Sequence, residues 1–217
     1  MITTTDYYIG QVLKKLDTLG LTENTIVIFQ SDNGHSTEDG VNIRYDDHSS
    51  GHPKGHYYLA HGGGGNTGKW IGSKGTFLEG GIRVPAIVSW PGRLPKGVTR
   101  DQIVTIMDWY PSMLEWCDIE NPGTLLDGFS LQPVIDSPES PSAHKVLHFQ
   151  WRSGWAVRKG DWKLIGKKGG KPGSKISFKL YNLADPKPEV KDYANEKPSL
   201  AQELFKLHES WVSALGQ

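Results

Sequence analysis

The segment Thr25–His35, Thr-Ile-Val-Ile-Phe-Gln-Ser-Asp-Asn-Gly-His, constrains the fold more than any other stretch of the chain. Thr25 to Phe29 are uncharged and β-branched or aromatic throughout, which predicts a strand buried on both faces, as in a parallel sheet covered by helices. The run stops abruptly at Ser31-Asp32-Asn33-Gly34, a cluster of turn formers. The side-chain oxygens of Asp32 and Asn33 therefore stand at a strand's carboxyl end, where open α/β sheets bind their ligands. Such hard oxygens suit calcium or magnesium, although an Asx turn that merely closes the strand uses the same residues. Ahead of the strand, Ile9, Val12, Leu13, Leu16 and Leu19 recur at helical intervals. That spacing predicts an amphipathic helix over about Asp6–Leu19, with Gly20 as its stop.

Beyond the strand the periodicity dissolves. The 26 glycines of the chain predict long loops, and residues 36–68 read as one, carrying Asp46, Asp47, His48, His52, His56, His61 and the run Gly62–Gly65. His48, His52 and His56 have the spacing of a transition-metal face on a helix. Gly51, Pro53 and Gly55 oppose that helix, so a polar loop facing substrate or solvent is expected. The glycine run lacks the Gly-Lys-Ser/Thr ending of a phosphate-binding loop. Lys74 lies in a glycine-flanked segment where backbone can approach a ligand closely, and Glu79 and Arg83, bracketing Gly80-Gly81, can pair with each other.

A second short strand is expected at Ala86–Val88, and a helix capped by Asp108 and running to about Cys117. The Ser/Pro-rich stretch Asp136–Pro141 reads as a linker, dividing the chain into residues 1–135 and 142–217. After it the pattern changes to short strands at Val146–Trp151, Gly154–Arg158, Trp162–Ile165 and Phe178–Asn182, with a tight turn at Lys159-Gly160-Asp161. Ser199 and Gln202 form a capping-box pattern, and Leu200, Leu204, Leu207, Trp211 and Leu215 give the closing helix one apolar stripe. These elements make a small antiparallel four-stranded α+β subdomain.

Lys plus Arg equals Asp plus Glu at 24 each, so no global field argues for nucleic acid as a partner. No stretch approaches the ~20 apolar residues of a membrane span. Cys117 is the one cysteine, which excludes an intrachain disulfide and fits a small core position.

Three segments, taken in order, resemble the sulfatase family of the alkaline phosphatase superfamily. They are the strand ending in Ser31-Asp32-Asn33-Gly34, the segment Lys74-Gly-Thr-Phe-Leu-Glu-Gly-Gly-Ile-Arg-Val-Pro85, and the ending Ala156-Val-Arg-Lys-Gly-Asp-Trp-Lys-Leu-Ile165 with Leu180-Tyr-Asn-Leu183. Asp108-Trp-Tyr-Pro111 lies between them. The resemblance covers nearly the whole chain but only the C-terminal half of a typical member. It implies an α/β fold: the C-terminal part of an alkaline-phosphatase-like sandwich with mostly parallel strands, followed by the antiparallel subdomain. It also implies hydrolysis of sulfate monoesters on small molecules or carbohydrates. By the resemblance, Asp32 and Asn33 supply two ligands of a calcium ion and Lys74 contacts the substrate sulfate. His35, beside the pair, is expected to contact substrate or to support a ligand from behind.

The departures are equally specific. The family's nucleophile is a formylglycine made from cysteine in a Cys-x-Pro-Ser-Arg motif, and Cys117 is followed by Asp-Ile-Glu instead. The family's other metal-binding aspartates and its main sulfate-binding histidine belong to a missing N-terminal half. The calcium site is thus expected to be incomplete, and the isolated chain to be inert, poorly soluble or paired with that half. The strand Thr25–Phe29 is expected to keep apolar surface uncovered. A phosphohydrolase or phosphotransferase of the same superfamily, and a non-catalytic truncated fragment or interaction module, are the alternatives. A periplasmic or secreted location is implied by the family alone.

Overall fold

Helix α1 (Ile2–Thr18) opens a computed structural model that describes residues 2–36, 67–168 and 176–216, with the backbone of two further strands at 41–45 and 57–60. Gly20, at φ +66°, turns the chain out of it and donates its N–H to the Asp17 carbonyl. Two compact units interleave along the sequence: Met1–Gln30 with Ala86–Lys145, and Ser31–Pro85 with Val146–Gln217. Residues 31–85, read from the sequence as part of 1–135, thus cluster with the C-terminal residues.

In the first unit, β1 (Val27–Gln30) pairs antiparallel with β4 (Ala86–Ser89), Ile28 opposite Val88. Every strand pairing among the described residues is antiparallel, within a mixed α/β chain as expected. The pairing does correct the doubly buried strand. Two strands alone cannot cover two faces, and Phe29 and Ile87 remain 49% and 61% exposed. The stripe of α1 is likewise open at Val12 and Leu13. The uncovered apolar surface expected on the strand is therefore present.

The core of this unit is Trp90, Trp116, Leu131 and Val134. Buried indoles need acceptors for their N–H groups, and Trp90 donates to the Glu23 carbonyl at 3.2 Å, Trp116 to Gln132 Oε1 at 2.5 Å and Trp109 to Gln30 Oε1. A 3₁₀ turn at Ile106–Asp108 leads into α3 (Trp109–Trp116), so the expected helix is present, but the Asp108 side chain makes no capping bond to it and turns back to the Thr105 N–H. A short helix, α4 (Gln132–Asp136), precedes the Ser/Pro stretch, and Arg100 ties down its carbonyls at Val134 and Ile135.

The second unit holds β2 (Val41–Tyr45) and β3 (Tyr57–Ala60), an antiparallel pair inside the stretch expected to be structureless. His48, His52, His56, His61 and the glycine run lie outside the described residues. A one-turn helix, α2 (Glu79–Ile82), follows. The C-terminal sheet is a meander of β5 (Leu147–Trp151), β6 (Gly154–Lys159), β7 (Trp162–Lys167) and β8 (Ser177–Asn182), as expected.

Its alternation decides which face each residue serves. Trp155, Val157, Leu164 and Leu180 pack with Ala201 and Leu204 of α5 (Pro198–Ala214). His148 stacks on Trp211 and His208 on Trp155, with ring centroids 5.0 and 4.4 Å apart. Helix α5 starts at Pro198 with Lys197 as cap and no side-chain capping bond, so Ser199 lies inside the first turn instead of capping it. Pro198, whose fixed φ suits a first helical position, sets the start two residues early. No helix among the described residues is long and apolar enough to cross a membrane.

Candidate functional site

Residues 31–35 fold into a local turn. Ser31 Oγ donates to the Asn33 carbonyl at 2.9 Å, and the Asn33 N–H donates to Asp32 Oδ1 at 3.0 Å. Two main-chain bonds then sew this turn to residues 74–81. The Gly34 N–H donates to the Gly81 carbonyl, and the Lys74 N–H to the His35 carbonyl, each at 2.9 Å. The seam is closer than any side chain permits: a Cβ on Gly34 would lie 1.8 Å from the Gly80 carbonyl oxygen, and one on Gly80 2.5 Å from that of Gly72. The Gly-Gly pair, which the sequence presents only as a spacer inside a possible ion pair, is thus a packing requirement of the site.

The seam brings together Asp32, Asn33, His35 and Lys74, four residues that the sequence singles out. Asp32 and Lys74 are exposed, while Asn33 and His35 are half-buried. A hydrogen bond from the Asn33 side chain holds the Asp32 carboxyl below the usual aspartate range, with backbone bonds and the Lys74 charge acting in the same direction. Asp32 is therefore an anion at neutral pH. The His35 Nδ1 is buried and has no hydrogen-bond partner among the described residues, an unmet demand at the edge of the site. The donor chemistry fits a hard cation in part: a carboxylate and an amide oxygen stand side by side, but calcium takes about six to eight oxygens. Among the described residues no group of three or more His, Cys, Asp or Glu side chains gathers to complete a shell.

Behind the seam lies a cluster that sequence reasoning missed. Lys163, wholly buried on the sheet face opposite α5, places Nζ 2.9 Å from both Glu79 Oε1 and Glu189 Oε1. Glu189 Oε2 accepts the Glu79 N–H at 2.8 Å, and Arg158 reaches Glu79 Oε2 at 3.3 Å. The Glu79–Arg83 pair expected from the sequence exists at 3.6 Å but is the outermost contact of this network. Glu189 holds a φ of +62°, a conformation non-glycine residues adopt at a cost, so its carboxylate is delivered to Lys163 against local backbone preference. Because Glu79 begins the helical turn whose Gly80 and Gly81 back Gly34, the cluster fixes the platform on which Asp32 and Asn33 sit.

The first unit has its own buried pair. Asp108 accepts the Thr105 and Phe129 N–H groups and lies 2.7 Å from His144 Nε2. The nearby Ser112 hydroxyl is engaged with the Asp108 carbonyl and the Leu131 N–H. The pair therefore clamps the entry to α3, and the hydroxyl beside it is committed to structure.

Comparison with known proteins gives this arrangement a context. Residues 1–119 match the Sulfatase family model, and residues 69–210 match that of the N-sulphoglucosamine sulphohydrolase C-terminal region. An uncharacterised sulfatase of Schizosaccharomyces pombe is 32% identical over 240 residues, an alignment covering 98% of this chain and 41% of that protein. The steryl-sulfatase of Mus musculus is 34% identical over 171 residues, covering 74% of this chain and 24% of the relative. A structure from work on glycosaminoglycan metabolism by Bacteroides thetaiotaomicron superposes with a TM-score of 0.71 at 28% identity, over 95% of this chain and 42% of that one. Another, solved with its substrate D-glucosamine-2-N,6-O-disulfate, shares the fold at a TM-score of 0.68 and 22% identity. The chain spans about two fifths of the length of the first of these relatives and of both structures. With one family model covering residues 1–119 and the fold of solved sulfatases over nearly its whole length, the chain belongs to the sulfatase family.

Proposed function

We propose that this chain is the C-terminal portion of a calcium-dependent sulfatase and supplies part of the site that hydrolyses sulfate monoesters. The observation that carries the reading is the seam itself: the Lys74 N–H on the His35 carbonyl and the Gly34 N–H on the Gly81 carbonyl bring an ionised carboxylate, an amide oxygen and an exposed lysine together. Lys74 presents a fixed cation to the non-bridging oxygens of a sulfate ester, where negative charge is held through the transfer of the sulfuryl group. Its aliphatic stem starts from a backbone pinned at its own N–H, which limits the positions that the ammonium samples. Asp32 and Asn33 would hold the metal from one side, and calcium, when bound, polarises the sulfate as a Lewis acid. His35, with its unmet Nδ1, supports a ligand or takes a hydrogen bond from the substrate. An N-terminal portion, the chain's expected partner, would hold the remaining metal ligands and a formylglycine, which would supply the attacking oxygen. Sulfated small molecules and sulfated carbohydrates are the substrate classes this arrangement serves.

Joining the chain to an N-terminal sulfatase portion bearing a matured Cys-x-Pro-Ser-Arg motif tests the reading. Sulfate release from an aryl sulfate is expected from the joined protein and not from the chain alone. Lys74→Ala is expected to lower kcat/KM about a hundredfold or more, as loss of a charge-stabilising donor does elsewhere. Full activity of the Lys74→Ala protein, or robust release by the isolated chain, would refute it.

A further inference from the structure

We infer that the cavity between residues 75–78 and the sheet face opposite α5 is a subsite for an anionic saccharide ring, here a sulfated sugar. The cavity encloses about 570 Å³, a size ordinary for small-molecule sites. Its walls carry three cations, Arg152, Lys167 and Lys179, and three aromatic rings, Phe77, Trp151 and Tyr181. Among the described residues no carboxylate lines it. In a chain of zero net charge this is a local excess of three positive charges, and among the described residues none of the three cations has an acidic partner.

The register makes the excess pointed. Lys167 stands opposite Ser177 and Lys179 opposite Ile165, so the two lysines are diagonal neighbours on one face of adjacent strands. Long like-charged side chains within reach of each other across a sheet repel unless an anion lies between them. Among the described residues, Lys159 pairs with Glu203 and Lys191 with Glu196, whereas Lys167 and Lys179 pair with no carboxylate.

The apolar side is equally shaped. Gly154 replaces a side chain where a Cβ would lie 2.8 Å from the Phe77 ring, so Phe77 seats directly on β6 and forms a floor. Arg152, at φ +55°, folds its guanidinium over the Trp151 ring at 4.6 Å and stiffens an exposed indole at the mouth. Burial, with Asp192 and Glu189 adding to it, raises the Tyr181 phenol above its ordinary value, so its hydroxyl is available as a donor. Flat rings for the faces of a sugar, a phenol for its hydroxyls and a lysine pair for its sulfate make one coherent recognition surface. Gly75 joins the cavity wall to Lys74 in sequence, and the assignment to a sulfated sugar rests on the sulfatase reading above.

Calorimetric titration of the 217-residue chain with a sulfated hexosamine disaccharide, its desulfated counterpart and sodium sulfate tests the subsite. The sulfated disaccharide is expected to bind with an affinity that falls as salt rises, and the desulfated sugar to bind about tenfold more weakly or worse, given the strength of hydrogen bonds to charged groups. The double substitution Lys167→Ala/Lys179→Ala is expected to weaken the disaccharide to a similar degree, with the circular dichroism spectrum unchanged. Trp151→Ala is expected to weaken both sugars. In the joined enzyme, the double substitution is expected to raise KM for a sulfated disaccharide and to leave turnover of a small aryl sulfate unchanged.

Equal binding by parent and double variant, equal binding of both sugars, or no binding by a folded chain overturns the subsite. Failure of the subsite with aryl sulfate turnover intact leaves the sulfatase reading standing. Loss of turnover in the joined parent enzyme, with disaccharide binding preserved, does the reverse.

Discussion

Replacing Lys163 by methionine keeps an unbranched stem of similar length and removes the ammonium that holds Glu79 and Glu189. In the parent, that ammonium is wholly buried and 2.9 Å from an oxygen of each glutamate, with Arg158 at 3.3 Å as the other inner cation. Two carboxylates balanced by two cations become two carboxylates facing one. Breaking a buried pair by removing one partner costs about 3–5 kcal/mol, because the remaining charge is left uncompensated. For a chain of this size, at about 2–4 °C per kcal/mol, the melting temperature should fall by about 6–20 °C. Urea denaturation followed by far-ultraviolet circular dichroism measures the change directly. The second variant, Lys163→Met with Glu189→Gln, removes one surplus charge and should recover part of the loss, with a coupling energy of about 0.5–3 kcal/mol. If Lys163→Met lies within about 1 kcal/mol of the parent, below the cost of an orphaned buried charge, or if the double variant is no better than the single, the cluster does not hold the unit together as argued.

Gly34→Ala should destabilise the second unit by about 1–3 kcal/mol, since its new methyl would overlap the Gly80 carbonyl, and should abolish turnover in the joined enzyme; parent-like activity would dissolve the seam. Burial, with a smaller contribution from His208, pulls the His148 imidazole down from 6.5 to about 4. The folded state therefore binds its proton later than the unfolded chain, so the His148 contribution is complete above about pH 6.5 and is lost as pH falls toward about 4. With the ring only partly buried, a loss on the order of 1–2 kcal/mol is expected between neutral pH and about pH 4. Urea midpoints across that range should show the loss, and His148→Phe should remove much of it; identical acid limbs would exclude His148 as the cause. Phe29→Ser and Ile87→Ser should improve recovery of the isolated chain from aggregation, because both side chains stand in solvent; unchanged aggregation by light scattering would count against that surface as its source.

The four C-terminal strands and α5 were legible because their signals are local. Alternation, a Lys-Gly-Asp turn and a helical stripe each lie within a few residues, and the observed boundaries differ from the expected ones by one or two positions. The strand ending at Asp32-Asn33 was legible as a strand, but its burial was not, because burial depends on what lies beside it. Helix α4 escaped notice since Pro133 and the following Ser/Pro stretch mask five helical residues. At the site, Asp32, Asn33 and Lys74 carry chemistry that can be read singly. The Lys163–Glu79–Glu189 cluster joins positions 84 and 26 residues apart, and no periodicity links them. A lysine in a strand is normally a solvent-facing residue, and only its neighbours reveal that it is sealed.

The interleaving of the two units has a consequence for the order of events during synthesis. The chain enters the first unit, leaves it at Ser31, returns at Ala86 and leaves again at Val146. The turn that carries Asp32 and Asn33 leaves the ribosome early, yet Lys163 and Glu189, which anchor the platform behind it, emerge more than a hundred residues later. Until then Glu79 is a lone carboxylate on a loop with nothing to bury it. Contacts this distant in sequence are slow to close, and the intervening species expose apolar surface. A ribosome stalled before residue 189 would therefore hold a nascent chain whose ligand-bearing turn is complete in sequence and unsupported in space.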